Sequence, residues 1–247
     1  MENILDYSSY PAYLAEVFAK NGLSQFGKTD ICEKLTEFCK YLLEQNQLFN
    51  LTAIKTTEGA ALLHFADSLT LSEFVPEGAK LLDIGSGAGF PAIPLAIARP
   101  DLTITALDST QKRVDFINRC AEMLKLTNLR AVCHRAEDVT GKDFKESYDI
   151  VTARAVAQYP ILLELAIPAV KVGGQFVAMK SKDVSRETSG IGKVTKLLSI
   201  SDPAFHNVKL SNEGEEFERT IVTIKKLAST PPKYPRAFAQ IKKRPIF

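Results

Sequence analysis

From residue 78 onward the chain alternates short apolar runs with longer stretches of helical spacing. Leu81–Ile84, Leu102–Leu107, Leu129–Cys133, Tyr148–Arg154 and Phe176–Lys180 are short, and glycine, proline or charge bounds them, so they read as buried strands. Between them lie three helical patterns: one after Phe90 that Pro100 closes, Gln111–Leu126, and Ile161–Val170. In Gln111–Leu126 the residues Val114, Ile117, Cys120, Ala121 and Leu124 share one face. Pro91 and Pro94 are expected in the first turn of the first helix, where amides lack intrahelical partners. A Gly173-Gly174 turn is expected before the fifth strand, and two more strand candidates, Phe205–Leu210 and Phe217–Lys226, complete the pattern. Alternating strands and helices predict an α/β fold around a mostly parallel sheet.

Upstream the periodicity changes. No strand pattern precedes residue 78, and helices are predicted over Pro11–Lys20, Asp30–Gln45 and Glu58–Phe74. In the second, Ile31, Leu35, Phe38 and Leu42 fall on one face, with Thr29 or Asp30 available as a cap. The chain therefore divides into a helical appendage (1–77), an α/β domain (78–228) and a tail (229–247). The appendage reads equally as a lid over a site or as a cover for one side of the sheet.

Candidate chemistry begins where the first strand ends. Leu81-Leu82-Asp83-Ile84 runs into Gly85-Ser86-Gly87-Ala88-Gly89-Phe90, a loop of three closely spaced glycines. Gly85 suits the positive φ of a tight turn, Gly87 offers no side chain where a ligand must approach, and Gly89 allows close packing of the next helix. The second strand ends in Asp108, about 20 residues beyond the last glycine, where an acidic side chain meets ribose hydroxyls in nucleoside-binding folds. Asp108 also stands just before Ser109, Thr110 and a helical pattern, so a helix cap is the competing role. The third strand leads to Ala136-Glu137-Asp138, where an acidic side chain can accept from an adenine amino group or simply be solvated. These features fit either a dinucleotide-binding domain or a methyltransferase that binds S-adenosylmethionine. The closing strand pair favours the seven-stranded sheet of the latter.

Composition narrows the setting. The 247 residues are 45% hydrophobic, enough for one sizeable core with a smaller appendage. The start, Met1-Glu-Asn-Ile-Leu-Asp6, is acidic and unlike a signal peptide, and no apolar run reaches the ~20 residues of a membrane span, so a cytoplasmic setting is expected. Cys32, Cys39, Cys120 and Cys133 lack paired metal-ligand spacing and read as reduced residues, and His64, His134 and His206 are too dispersed for a metal cluster. Asn50-Leu-Thr52 matches a glycosylation sequon without meaning in a cytoplasmic chain. A net charge of +2 argues weakly for nucleic acid, but its distribution is more informative. From Pro231 to Phe247 the chain holds Lys233, Arg236, Lys242, Lys243 and Arg244, the rings Tyr234, Phe238 and Phe247, and no acid. Cations can meet phosphates and rings can stack on unpaired bases, with a solvated basic tail as the alternative.

Several motifs taken together resemble the RsmG (GidB) family. They are Asp83-Ile-Gly-Ser-Gly-Ala-Gly-Phe-Pro91, Leu107-Asp-Ser-Thr-Gln-Lys-Arg113, Thr152-Ala-Arg-Ala155, Asn50-Leu-Thr52, His64-Phe-Ala-Asp-Ser68 and Lys233-Tyr-Pro-Arg236. The resemblance spans nearly the whole chain, and only Ser181–Gly192 has no counterpart. It implies a Rossmann-like class I methyltransferase sheet and S-adenosylmethionine-dependent methylation of guanine N7 in bacterial 16S ribosomal RNA. It further implies that Gly85, Gly87, Gly89 and Phe90 line the methionine and adenosine side of the cofactor. Asp108, Ser109 and Thr110 would hold the ribose side and Ala136 and Glu137 the adenine side. Arg154 would stand at the cofactor and substrate end as the catalytic candidate. Lys233, Tyr234, Arg236, Lys242, Lys243 and Arg244 would meet RNA, with 16S ribosomal RNA or the small subunit as partner and neither membrane nor metal involved.

The reaction explains what the chain omits. Guanine N7 carries an in-plane lone pair and loses no proton before attack, so methyl transfer needs in-line placement more than a general base. The chain also lacks an Asn-Pro-Pro-aromatic run for exocyclic amines, and no cysteine lies in the Ala153-Arg154-Ala155 loop to attack a pyrimidine. Arg154 suits a methionine carboxylate or a guanine acceptor edge, with a salt bridge as its structural alternative. Two rival classes stay open at this point: an RNA-binding ribosome-assembly factor with a cofactor pocket but no turnover, and an NAD-dependent oxidoreductase.

Overall fold

A computed structural model describes residues 6–138, 141, 143–154, 157–181, 184, 190–212 and 214–246. Seven strands form one sheet in the order β3-β2-β1-β4-β5-β7-β6. Their ranges are β1 Lys80–Ile84, β2 Thr103–Asp108, β3 Leu129–Cys133, β4 Tyr148–Arg154, β5 Val170–Ser181, β6 Ala204–Asn212 and β7 Glu215–Lys225. The first five run parallel, whereas β7 joins β5 antiparallel and carries β6 as a hairpin partner. The sheet order reverses at β1, between β2 and β4. In open parallel sheets the crevice beyond the carboxyl ends of the strands at such a reversal is where ligands bind.

The N-terminal helices are α1 Tyr10–Lys20, α2 Thr29–Phe49, α3 Thr57–Ala60 and α4 Asp67–Leu69, and a π turn over Ala61–Ala66 joins the last two. They do not stand apart from the sheet. Tyr10, Leu14, Phe38 and Phe65 share one apolar cluster with Leu81, Ile104, Ala106 and Ile117. Polar ties reinforce it: the Asn21 amide donates to the Ser211 carbonyl at 3.0 Å and its oxygen accepts from the Ser211 N–H at 2.8 Å, pinning α1 to β6. Loss of the Asn21 side chain would leave these half-buried Ser211 backbone groups without their partner.

The later helices are α5 Ala92–Ala98, α6 Gln111–Met123, α7 Tyr159–Ala166, α8 Gly192–Leu198 and α9 Phe238–Lys243. Pro91 sits at the N-cap of α5 rather than inside its first turn, and Pro94 is its third residue. The expected turn at Gly173-Gly174 is instead part of β5, which is irregular opposite Tyr148–Ile150. Turn chemistry and bulge chemistry coincide there. Gly173 has φ +85°, and a Cβ on Gly174 would stand 2.6 Å from the Asp149 carbonyl. Two elements, α8 and α9, were not expected. Of the segment Ser181–Gly192, residues 182, 183 and 185–189 lie outside the described residues, as do the acidic start to residue 5, Ala155 and Phe247.

Candidate active site

The glycine loop leaves β1 and is held by β2. The Gly85 and Ser86 amides both donate to the Leu107 carbonyl, at 2.7 and 3.0 Å. All three glycines take positive φ: +69° at Gly85, +57° at Gly87 and +89° at Gly89. An added Cβ at Gly89 would run into Ile93 on α5, whereas at Gly87 the nearest atom is the Gly85 carbonyl at 3.9 Å. Gly89 is thus needed for helix packing. Gly87 leaves open space above a rigid loop.

Asp108, buried at the end of β2, ties this loop to the next helix. One carboxylate oxygen accepts from the Gly87 N–H at 3.0 Å and the other from the Thr110 N–H at 2.9 Å, while Arg113 approaches within 3.4 Å. The helix cap foreseen from the sequence is not formed by Asp108: Thr110 is the N-cap of α6 without a side-chain cap bond, and Asp108 instead holds the Thr110 amide in the turn before the helix while also fixing the loop. Beside it opens a cavity of about 280 Å³ lined by Gly85, Asp108, Ser109, Ala136 and Glu137, with Leu165 of α7 and Phe238 of α9 on its far wall. Three strand ends and their loops bring together residues up to 52 positions apart, from Gly85 to Glu137. Thr110 lies outside this wall and lines a neighbouring groove.

Arg154, at the end of β4, is fixed by side chains from the N-terminal helices. Its Nη2 donates to His64 Nδ1 at 3.0 Å, and its Nη1 lies 3.2 Å from Asp67. A guanidinium can only donate, so His64 Nδ1 must carry the lone pair and Nε2 the proton. His64 Nε2 therefore donates to Thr52 Oγ1, 2.8 Å away. Thr52 is anchored in turn by two hydrogen bonds with the Asn46 amide, at 2.9 and 2.8 Å. Burial, with Arg154 adding to it, pulls the His64 pKa down to about 3, so the ring stays neutral. Its face stacks on Phe90 at 4.0 Å between centroids, and Arg154 lies 5.5 Å over the same ring. Phe90 is buried and supports this pair from beneath.

Asp67 is shared. Its other oxygen lies 3.4 Å from Arg219 of β7, so one carboxylate faces two guanidinium groups. Burial raises its pKa and the two arginines oppose that rise. The motifs containing Thr52, His64 and Asp67 stood out in the sequence, but their convergence on Arg154 did not, and Arg219 carried no local signal.

Asp83, the last polar residue of β1, was also missed. It is fully buried, and neither carboxylate oxygen has a hydrogen-bond donor in normal geometry. Ser86 Oγ, which leans toward it, binds the Asp83 carbonyl instead at 2.9 Å. Burial, assisted by Asp108, pushes its pKa up to about 8 against the pull of Ser86, Ala92 and Arg154. A polar residue inside Leu81-Leu82-Asp83-Ile84 was the available signal.

In the tail, Arg236 and Tyr234 have tasks that the sequence did not suggest. Arg236 makes a two-pronged contact with the buried Glu164 of α7, Nε–Oε1 2.7 Å and Nη2–Oε2 2.6 Å, and Tyr234 is buried in the adjoining cluster. A rigid fork and a carboxylate make a strong pair away from water, which holds the tail on the fold. Lys233, Lys242, Lys243 and Arg244 remain exposed. Among the described residues there is no group of three side chains suited to a metal ion, and no helix is long and apolar enough to cross a membrane.

Five parallel strands closed by an antiparallel pair, with a glycine loop at the order reversal and acids at the strand ends, define a class I methyltransferase fold of the kind that uses S-adenosylmethionine. Two solved structures share that fold. A transferase-like protein of Pyrococcus horikoshii aligns with TM-score 0.51 at 14% identity over 65% of this chain and 62% of its own. M. jannaschii TYW2, solved in complex with AdoMet, aligns with TM-score 0.51 at 15% identity over 65% and 75%. The family is set by sequence. Residues 31–216 match the GidB family, rRNA small subunit methyltransferase G, and the chain belongs to that family. Ribosomal RNA small subunit methyltransferase G of Desulfitobacterium hafniense is 41% identical over 88% of this chain and 90% of that protein. Its namesake in Acetivibrio thermocellus is 40% identical over 91% and 94%.

Proposed function

We propose that this protein transfers a methyl group from S-adenosylmethionine to N7 of a guanine in 16S ribosomal RNA, in the cytoplasm and on the small ribosomal subunit or its RNA. The observation that carries this reading is the convergence of Gly85 from the glycine loop with Asp108, Ser109, Ala136 and Glu137 on one cavity, with Arg154 fixed at the end of the neighbouring strand β4.

The residues suit the cofactor. Gly87 leaves room against backbone, Asp108 and Glu137 present acceptors for hydroxyl and amino groups, and Asp83 is a buried carboxylate without a donor, suited to an ammonium group. S-adenosylmethionine, when bound, supplies an electrophilic methyl group on a sulfonium. The chain then has to orient and exclude water. Arg154 is held by two partners and keeps guanidinium N–H groups for a carboxylate or for guanine O6. His64 stays neutral, so it orients Arg154 without adding charge beside it. No side chain has to remove a proton, because N7 attacks through its own lone pair.

We assign the appendage over 1–77 to positioning rather than to independent folding, since it supplies His64 and Asp67. The exposed tail cations Lys233, Lys242, Lys243 and Arg244 are assigned to phosphate contacts. The test is direct: unmethylated 16S ribosomal RNA is incubated with the protein and labelled cofactor, digested to nucleosides and separated. Label in N7-methylguanosine is the expected result. Label in an adenine or pyrimidine nucleoside, or none at all, would overturn the reading.

A further inference from the structure

A second concavity, about 530 Å³, lies between the end of α2 and the outer face of α6. Its wall is unusual for a soluble surface. Leu48 and Phe49 are 68% and 51% exposed at the last turn of α2, and Lys112, Arg113 and Arg119 face them from α6. Asp115 is the one acid among the lining residues, and it already accepts from Gln111 at 2.7 Å. Lys112 Nζ stands 5.8 Å from the centre of the Phe49 ring. An exposed ring and a neighbouring leucine beneath three cations form neither a core nor a solvated face.

We propose that this groove holds a single-stranded segment of the substrate RNA beside the target guanine, with one base stacked on Phe49 and the flanking phosphates on Lys112 and Arg119. The inference rests on the ribosomal RNA reading above. Three features select this occupant. Unpaired bases offer π faces that stack on aromatic side chains irrespective of sequence, and their backbone supplies the negative charge that the lining needs. The groove also adjoins the cofactor cavity, since Arg113 lines both and reaches Asp108. Finally, Asn50 ends α2 in the left-handed conformation, φ +48°, so the chain turns away directly after Phe49 and leaves the ring uncovered.

The experiment separates binding from turnover. Affinity for unmethylated 16S ribosomal RNA is measured without cofactor across a salt series for the wild type, Phe49→Ala, Phe49→Tyr and the double variant Lys112→Gln/Arg119→Gln. Phe49→Ala should weaken RNA binding about tenfold, as loss of one base–aromatic stack does, while Phe49→Tyr binds like the wild type. The double variant should lower the slope of log affinity against log salt by about 1.4, from two phosphate contacts on a single strand. Because all three side chains are exposed, melting temperatures and S-adenosylmethionine affinity should not move. Wild-type RNA affinity and salt slope in both Phe49→Ala and the double variant would overturn the groove. If those effects appear while the wild type produces no N7-methylguanosine, the groove stands and the reaction assignment falls.

Discussion

The two ends of the site are built by different means. The end proposed for the nucleoside is assembled from consecutive strand ends and held through backbone amides, with Gly85 and Ser86 donating to the Leu107 carbonyl and Gly87 and Thr110 to the Asp108 carboxylate. The Arg154 end is assembled from side chains of α2, the π turn, α4, β4 and β7, and charge holds it. Backbone ladders survive changes of pH and of most side chains. A buried cluster of guanidinium and carboxylate groups around a neutral imidazole does not, because each member is correctly placed only while its partners keep their charge state. The first end should therefore answer to backbone substitutions, and the second to titration and to loss of single charges.

The largest effect should come from Asp67→Ala, which leaves Arg154 and Arg219 facing each other without their shared counter-ion. A loss of about 3–5 kcal/mol of folding stability is expected on chemical denaturation, the range for breaking a buried pair. A variant as stable as the wild type would mean that the cluster is not held by charge. Acid should attack the same end. The folded-state pKa of His64, about 3, lies below its ordinary 6.5, so its contribution is fully present above pH 6.5 and is lost as pH falls toward 3. Each unit of that shift corresponds to about 1.4 kcal/mol, so a few kcal/mol are at stake. Denaturation midpoints measured across that window should fall, and His64→Asn should fall less steeply. Equal slopes would show that another group is responsible.

Smaller losses should mark the nucleoside end. Asp108→Ala should lose roughly 1.5–3 kcal/mol of S-adenosylmethionine affinity in calorimetry. It should also lose about 1–3 kcal/mol of stability, because the Gly87 and Thr110 amides lose their acceptor. Unchanged affinity with an earlier melt would leave Asp108 with a structural role alone. Gly87→Val places a branched side chain in the open space at φ +57° and should reduce cofactor binding in a protein that still folds. The finest test concerns Asp83. With a pKa near 8 it is mostly protonated at pH 7, so pairing with the cofactor ammonium should release up to about one proton per molecule bound. Calorimetry in buffers of different ionisation enthalpy reads that proton, and Asp83→Asn should abolish it. Equal release from both proteins would separate Asp83 from the cofactor.

The same contrast explains how much the sequence disclosed. Gly85, Asp108 and Glu137 were legible because each ends or follows a strand, so spacing along the chain becomes position along one sheet edge. His64 and Arg154 are 90 residues apart and Asp67 and Arg219 even further, so no spacing rule brings them together. Recurrence of whole motifs in a family was the only sequence signal, and it gave membership without geometry. Elsewhere local chemistry was ambiguous. Gly173-Gly174 reads equally as turn or bulge, and the tail's cations concealed that Arg236 is spoken for by Glu164 from α7, a residue buried by tertiary packing alone.

The distribution of thiols gives this molecule a built-in label site. Burial pushes the Cys32 and Cys39 thiols up to about 11 and 12, and that of Cys120 higher still, which removes their thiolates at ordinary pH. Cys133 is only half-buried, and it ends β3 directly before His134, which lines the cavity proposed for the cofactor. A maleimide dye would therefore attach first at Cys133, one residue along the chain from the cavity wall, without any engineered cysteine.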